Sequence, residues 1–181
     1  MRQSEGGTNL TTRNQYIRMH IAKTLIHLMK AKSLEAITIT SLVKEANVSR
    51  MTFYKYYKSK IEVLSDYMYE LMNAYMEDTK QKTDIGVFRE LKHICHCFTF
   101  FKMYSEEITV LIEANMYAVI IDTLNDYMDT YVLPIFPYSK YELYYYAGAL
   151  CNTYIKWIKS GMKETPEEIA TLIYRHLDTK K

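Results

Sequence analysis

The sequence predicts an all-α protein, and three observations carry that prediction. Apolar residues recur three and four apart through most of the chain, the repeat of a helix face. Glycine and proline are scarce, at 5 and 3 of 181 residues, so a strand-and-turn architecture is disfavoured. Two Ser/Thr-x-x-Glu boxes, at Ser139–Glu142 and Thr165–Glu168, stand at the head of apolar periodic runs, where helices start. A hydrophobic fraction of 49% is ample for a core, and the length suits one large domain or two small ones.

In chain order, residues 1–10 are polar, contain Gly6-Gly7 and are expected to be disordered. Thr11 or Thr12 can cap a first helix reaching about Lys32, with Ile17, Ile21, Leu25 and Leu28 on its core face. His20 and His27 flank that stripe as surface or partly satisfied groups. Two short helices joined by a tight turn follow. Thr40 can cap the first, with Leu42, Val43 and Ala46 inward. Asn47 sits where the turn needs a positive φ, which Asn tolerates better than other side chains. Val48 plugs the gap, and Ser49 caps a helix from Arg50 to Tyr57. Phe53 and Tyr57 point inward, leaving Arg50, Thr52, Tyr54, Lys55 and Tyr56 outside. This is a helix-turn-helix, whose second helix has the shape to enter a DNA major groove. No acidic residue lies between Ser49 and Lys60, whereas a merely solvated face would mix Glu with Lys. Cations and hydroxyls are the groups that bond phosphate oxygens.

From Lys60 a long helix continues to about Lys82, with Ile61, Leu64, Met68, Leu71 and Tyr75 in period. Asp84 or Thr83 can cap a helix carrying Phe88, Leu91, Ile94, Cys95 and Phe98. Ser105 with Glu106 and Glu107 opens the next, its acids favoured by the helix dipole. A further helix spans about Asn115 to Tyr131 and ends at Pro134 and Pro137. The helix opened by Ser139 is apolar nearly all round, which predicts cover on every side, and Gly161 stops it. Pro166 stands at the first position of the last helix, where its missing N–H is harmless. The expected organisation is therefore 1–10 disordered, 11–60 helix-turn-helix domain and 61–181 helical body.

Charge divides the same way. Residues 1–66 hold 11 Lys and Arg against 5 Asp and Glu, a net of +6, and the remainder nets −4. A basic front and acidic rear suit contact with phosphate at one end. The three cysteines lack disulfide spacing, no signal peptide or membrane-length apolar run is evident, and a reducing cytoplasm is the expected location. No Gly-rich nucleotide motif, H-E-x-x-H motif or Ser/His/Asp order supports catalysis, so no enzyme and no cofactor are expected. His93, Cys95, His96 and Cys97, with Glu90 near, form the one suggestive metal cluster, but Cys95 points away from the His93–Cys97 face, and no metal is expected. Phe98, Phe101, Met103, Tyr104, Met116, Tyr117, Tyr145 and Tyr154 can line an apolar pocket, with ordinary core packing as the alternative.

Thr38, Ala46-Asn47-Val48-Ser49, Thr52-Phe53-Tyr54, Tyr57 and Lys60 together resemble the DNA-binding domain of the TetR family of transcriptional regulators. Asn47 stands for the usual Gly and Tyr57 for a common Phe; Val43 fills a position that is often Ala. The resemblance implies a homodimeric regulator binding double-stranded DNA at a palindromic operator. Thr52, Tyr54, Tyr56 and Lys60 would then hold phosphates and Arg50, Met51 and Lys55 face base edges, with Thr40 and Ser49 also in the DNA-binding set. Arg13 and Arg18 could meet phosphates. It also implies that the long helix transmits a small apolar or aromatic effector's binding to the two heads. The last two helices would pair across a two-fold axis through Tyr144, Ala147, Gly148, Cys151, Ile169 and Ile173. The competing expectation is a co-activator or architectural factor of the same fold, with a protein rather than a small molecule as partner.

Overall fold

The computed structural model describes residues 5–137 and 139–177, with the backbone alone for 5–12 and 177. Among them are nine α-helices and no strand. Helix α1 runs Glu5–Met29, so the disordered start expected for 1–10 is corrected from Glu5 onward. Thr11 and Thr12 consequently lie inside the helix rather than capping it. Residues 1–4 lie outside the described residues.

Helices α2 (Ile39–Glu45) and α3 (Arg50–Tyr56) form the expected pair. Thr38, not Thr40, caps α2: its hydroxyl accepts from the Ser41 N–H at 3.0 Å. Asn47 has φ +50, and Ser49 accepts from the Thr52 N–H at 2.9 Å. Ile21 and Leu25 of α1 pack with Leu42, Val43, Ala46 and Phe53, all buried in one core. A fully buried Leu or Phe here contributes roughly 2 kcal/mol.

Helix α4 (Lys60–Lys80) is the spine. Ser59 caps it, accepting from Glu62 N–H at 3.2 Å. Its N-terminal half packs on α1, fastened by Arg18. That guanidinium grips both oxygens of Asp66, with Nε–Oδ2 at 2.9 Å, and reaches Glu70 at 3.2 Å. Tyr57 donates to the same carboxylate at 2.6 Å, so α1, the end of α3 and α4 meet at Asp66. Arg18 is thereby committed inside the head rather than to phosphate.

The body is α5 (Leu91–Lys102), α6 (Ser105–Glu113), α7 (Tyr117–Tyr127), α8 (Lys140–Lys159) and α9 (Pro166–Leu177). Helix α5 starts later than expected. Thr83 and Asp84 lie in a turn region, and Glu90 occupies the cap position without a side-chain cap bond. Ser105 is the first residue of α6 rather than its cap. Helix α7 is shorter than the expected 115–131 span. It passes into a π-helical turn, Met128–Val132, and then a 3-10 turn, Leu133–Ile135, that accommodates Pro134. Both capping boxes form: Ser139 N–H donates to Glu142 at 3.0 Å, and Thr165 N–H to Glu168 at 2.7 Å. Helix α7 packs on α4 and α8, and α9 lies along α5. A second core of Ile94, Phe98, Trp157, Ile169 and Ala170 seals that last contact.

Candidate nucleic-acid interface and internal cavity

Helix α3 presents one open face. Met51 is 83% exposed and Tyr54 58%, and Arg50 and Lys55 are exposed beside them. The Arg50 guanidinium rests on the Thr40 hydroxyl of α2, which joins the two helices on that face. Lys55 Nζ lies 5.1 Å from the centre of the Tyr56 ring, held there by cation–π attraction. Ser49 and Thr52 hydroxyls are paired at 2.8 Å. Arg13, near the start of the side-chain description of α1, is also exposed.

Two residues expected in this set sit differently. Tyr56 is half-buried and donates its hydroxyl proton to Asn14 of α1 at 2.7 Å. Lys60 turns inward: its ammonium donates to the Leu34 and Ile37 carbonyls, the latter at 2.5 Å. Two of its three N–H groups therefore hold the α1–α2 loop. These partners lie 42, 26 and 23 residues away, too far for local sequence to signal.

Beneath the head, α4, α5, α7 and α8, with Ile108 of α6, line a partly open cavity of about 140 Å³. Of the expected pocket residues, Phe98, Phe101 and Tyr154 line it. Tyr104, Met116 and Tyr117 are half-buried elsewhere, and Met103 and Tyr145 are 67% and 69% exposed, so these five are corrected out of the wall. What sequence reasoning missed is the contribution of α4: Met68, Met72 and Met76, four apart, with Tyr75. That stripe was legible as a face but not as a wall. Among the described residues, no Asp, Glu, Lys or Arg lines the cavity.

Two family models match. Residues 21–67 match "Bacterial regulatory proteins, tetR family", and residues 91–179 match "Transcriptional regulator C-terminal region" of the same family, together about three quarters of the chain. The chain belongs to the TetR family of transcriptional regulators. Its fold is also similar to the crystal structure of Lin0861 from Listeria innocua. The TM-score is 0.75 at 17% identity, covering 95% of this chain and 93% of that one. Comparison with curated proteins finds no match. Membership of the TetR family makes the chain a DNA-binding transcriptional regulator. Among the described residues no helix is long and apolar enough to cross a membrane.

In this TetR-family body the residues expected at a dimer interface divide. Ala147 and Cys151 line the cavity, and Ile169 is buried against α5. These three pack within their own chain, Ala147 and Ile169 buried and Cys151 half-buried. Tyr144 and Ile173 are half-buried, Tyr144 donating to Asp129, and Gly148 is exposed with nothing near the Cβ position. Nor is α8 covered on every side: Tyr141 and Tyr145 are 73% and 69% exposed, and Leu172 of α9 is 51% exposed.

The His/Cys group on α5 splits in the same way. His93 faces Tyr75, with Nε2 2.9 Å from the hydroxyl, whereas His96 lies 3.0 Å from Asp78 of α4. Burial lowers both imidazole pKa values, against a raising pull on His96 from Asp78. Burial likewise pushes the Cys97 and Cys151 thiols up to about 12 and about 11, which leaves both neutral at pH 7. Among the described residues no three His, Cys, Asp or Glu side chains converge as a metal site would require.

Proposed function

We propose that this regulator is a ligand-responsive repressor that binds a palindromic operator as a homodimer in the cytoplasm. The observation that carries the DNA contact is the α3 face, where Arg50, Met51, Tyr54 and Lys55 stand exposed with no acid between Ser49 and Lys60. Arg50, Met51 and Lys55 read base edges, and Tyr54, Ser49, Thr52 and Thr40 serve the phosphates. The wall shared by α4 and the body supports effector binding in the cavity. An occupant there touches Met68, Met72 and Tyr75 on the same helix that Asp66 fastens to the head. Such an effector must prefer the DNA-incompetent arrangement, since equal affinity for both shifts nothing. The same cavity favours this reading over that of a co-activator whose only partner is a protein.

Replacing Lys55 by Ala tests the DNA face. Operator affinity should fall by about 1–3 kcal/mol, with relaxed sequence preference at the contacted base and an unchanged Tm. Unaltered affinity in a gel-shift titration would remove α3 from the reading role.

A further inference from the structure

We propose that Met51 reads a thymine in the operator, through the C5-methyl group that this base carries into the major groove. This rests on the α3 face being the DNA-reading surface, and it names what one side chain of that face recognises. Phe53 is the buried anchor of α3. A helix turns slightly more than half a revolution in two residues, so Met51 and Lys55, two to either side of Phe53, project from the opposite face.

The neighbours of Met51 on that face are already engaged. The Lys55 ammonium lies 5.1 Å from the centre of the Tyr56 ring, and the Arg50 guanidinium rests on the Thr40 hydroxyl. Tyr54 sets its ring edge-on to that of Phe53, with centres 5.4 Å apart. Met51, at 83%, is the most exposed large apolar side chain among the described residues. Held so far out, it gains almost nothing from burial within its own chain. The cations of Arg50 and Lys55 on either side, with no acid from Ser49 to Lys60, set a phosphate-bearing partner against it rather than an apolar protein surface.

The chemistry of the groove then selects the base. Methionine has no hydrogen-bond donor and only a weakly accepting sulfur. Laid on a polar base edge, it would strip water from a donor or acceptor without replacing the bond. Thymine alone among the four bases adds a methyl group to the major groove, and apolar contact with that methyl is a recognised mode of readout. An unbranched thioether chain has the freedom to settle on it. Met51 therefore favours T·A by contact and disfavours G·C by leaving its polar edges unanswered.

The test selects the duplexes that the full chain binds from a random-sequence pool. Each thymine is then replaced in turn by deoxyuridine, which removes the methyl group and nothing else. Uracil at one position should weaken binding about fourfold, the contribution of one buried methyl group. Met51→Ala should bind the thymine and uracil duplexes alike, and Met51→Leu should restore the difference. Should the alanine variant fail to fold, the wild-type chain still decides: the Met51 methyl 13C shift should differ between the two complexes, and identical shifts would overturn the proposal. A uracil penalty undiminished in Met51→Ala would overturn the assignment to Met51. Indifference to uracil at every position, with Lys55→Ala still weakening binding, would overturn the thymine contact and leave α3 as the reading helix. The same indifference with Lys55→Ala also without effect, or a selection that enriches no sequence, would overturn both.

Discussion

Lys60 illustrates how one side chain can change its meaning once its neighbours are known. By sequence it is a cation just past a DNA-reading helix. In the fold its ammonium caps two carbonyls of the loop that leads into α2. Charge-assisted hydrogen bonds of this kind each stabilise more than neutral ones, and the carbonyls lose their partner if the ammonium goes. Lys60→Met should therefore lower stability by about 1–2 kcal/mol, a drop of several degrees in Tm. The salt dependence of DNA binding should stay as steep as in the wild type. A shallower slope with an unchanged Tm would return Lys60 to the phosphate set. Asn47, by contrast, could be placed from sequence alone. Its demand, a positive φ at the turn, is local and the structure meets it at +50°. The same holds for Ser49, whose cap bond spans three residues. The Tyr56 bond to Asn14 escapes a sequence reading for the same reason as those of Lys60: the partner lies on another element.

At the scale of elements, α4 and α5 form a joint whose stability depends on acidity. His93 and His96 sit on α5 against Tyr75 and Asp78 of α4, and both pKa values lie below the ordinary 6.5. Groups that resist protonation when folded take up protons more readily unfolded, so stability rises with pH. Their contribution is complete above about pH 6.5 and is lost as pH falls below it. Thermal melts of wild type and His93→Gln should show a Tm gap that narrows between pH 7.5 and 5.5. A gap that widened on acidification would reverse the sign and refute the account. The joint also marks the limit of element prediction. The α8 and α9 starts were legible because a capping box is contained in four residues. The α5 start was not, since Thr83 and Asp84 offer a plausible cap that the chain declines in favour of burying Ile85 and turning at Gly86, φ +73. The π-helical turn after α7 has no local signature either. It brings Met128 and Val132 into the cavity wall, a demand made by tertiary packing.

For the molecule as a whole, the question is what covers α8 and α9. The sequence suggested a helix enclosed on all sides. A single chain encloses most of it, burying Leu143, Tyr146, Ala147, Leu150 and Trp157, and leaves one ridge of Tyr141, Tyr145 and Gly148 open; Leu172 of α9 is exposed as well. Large apolar side chains at this exposure stabilise nothing in the monomer. A second copy would bury the ridge in an isologous two-fold contact. Small Gly148, with open space where a Cβ would stand, lets the backbones approach. The proposed dimer therefore turns on the open ridge rather than on Cys151 or Ile169, which are already used within the chain. Tyr145→Glu separates association from folding, because the residue is 69% exposed and touches little in its own chain. Sedimentation should show the variant as a single subunit with the wild-type helical content. Affinity for a two-half-site operator should fall by far more than affinity for one half-site, since two linked heads gain from effective concentration. A variant that still sedimented as the wild type does, with undiminished operator affinity, would move the interface elsewhere on the body.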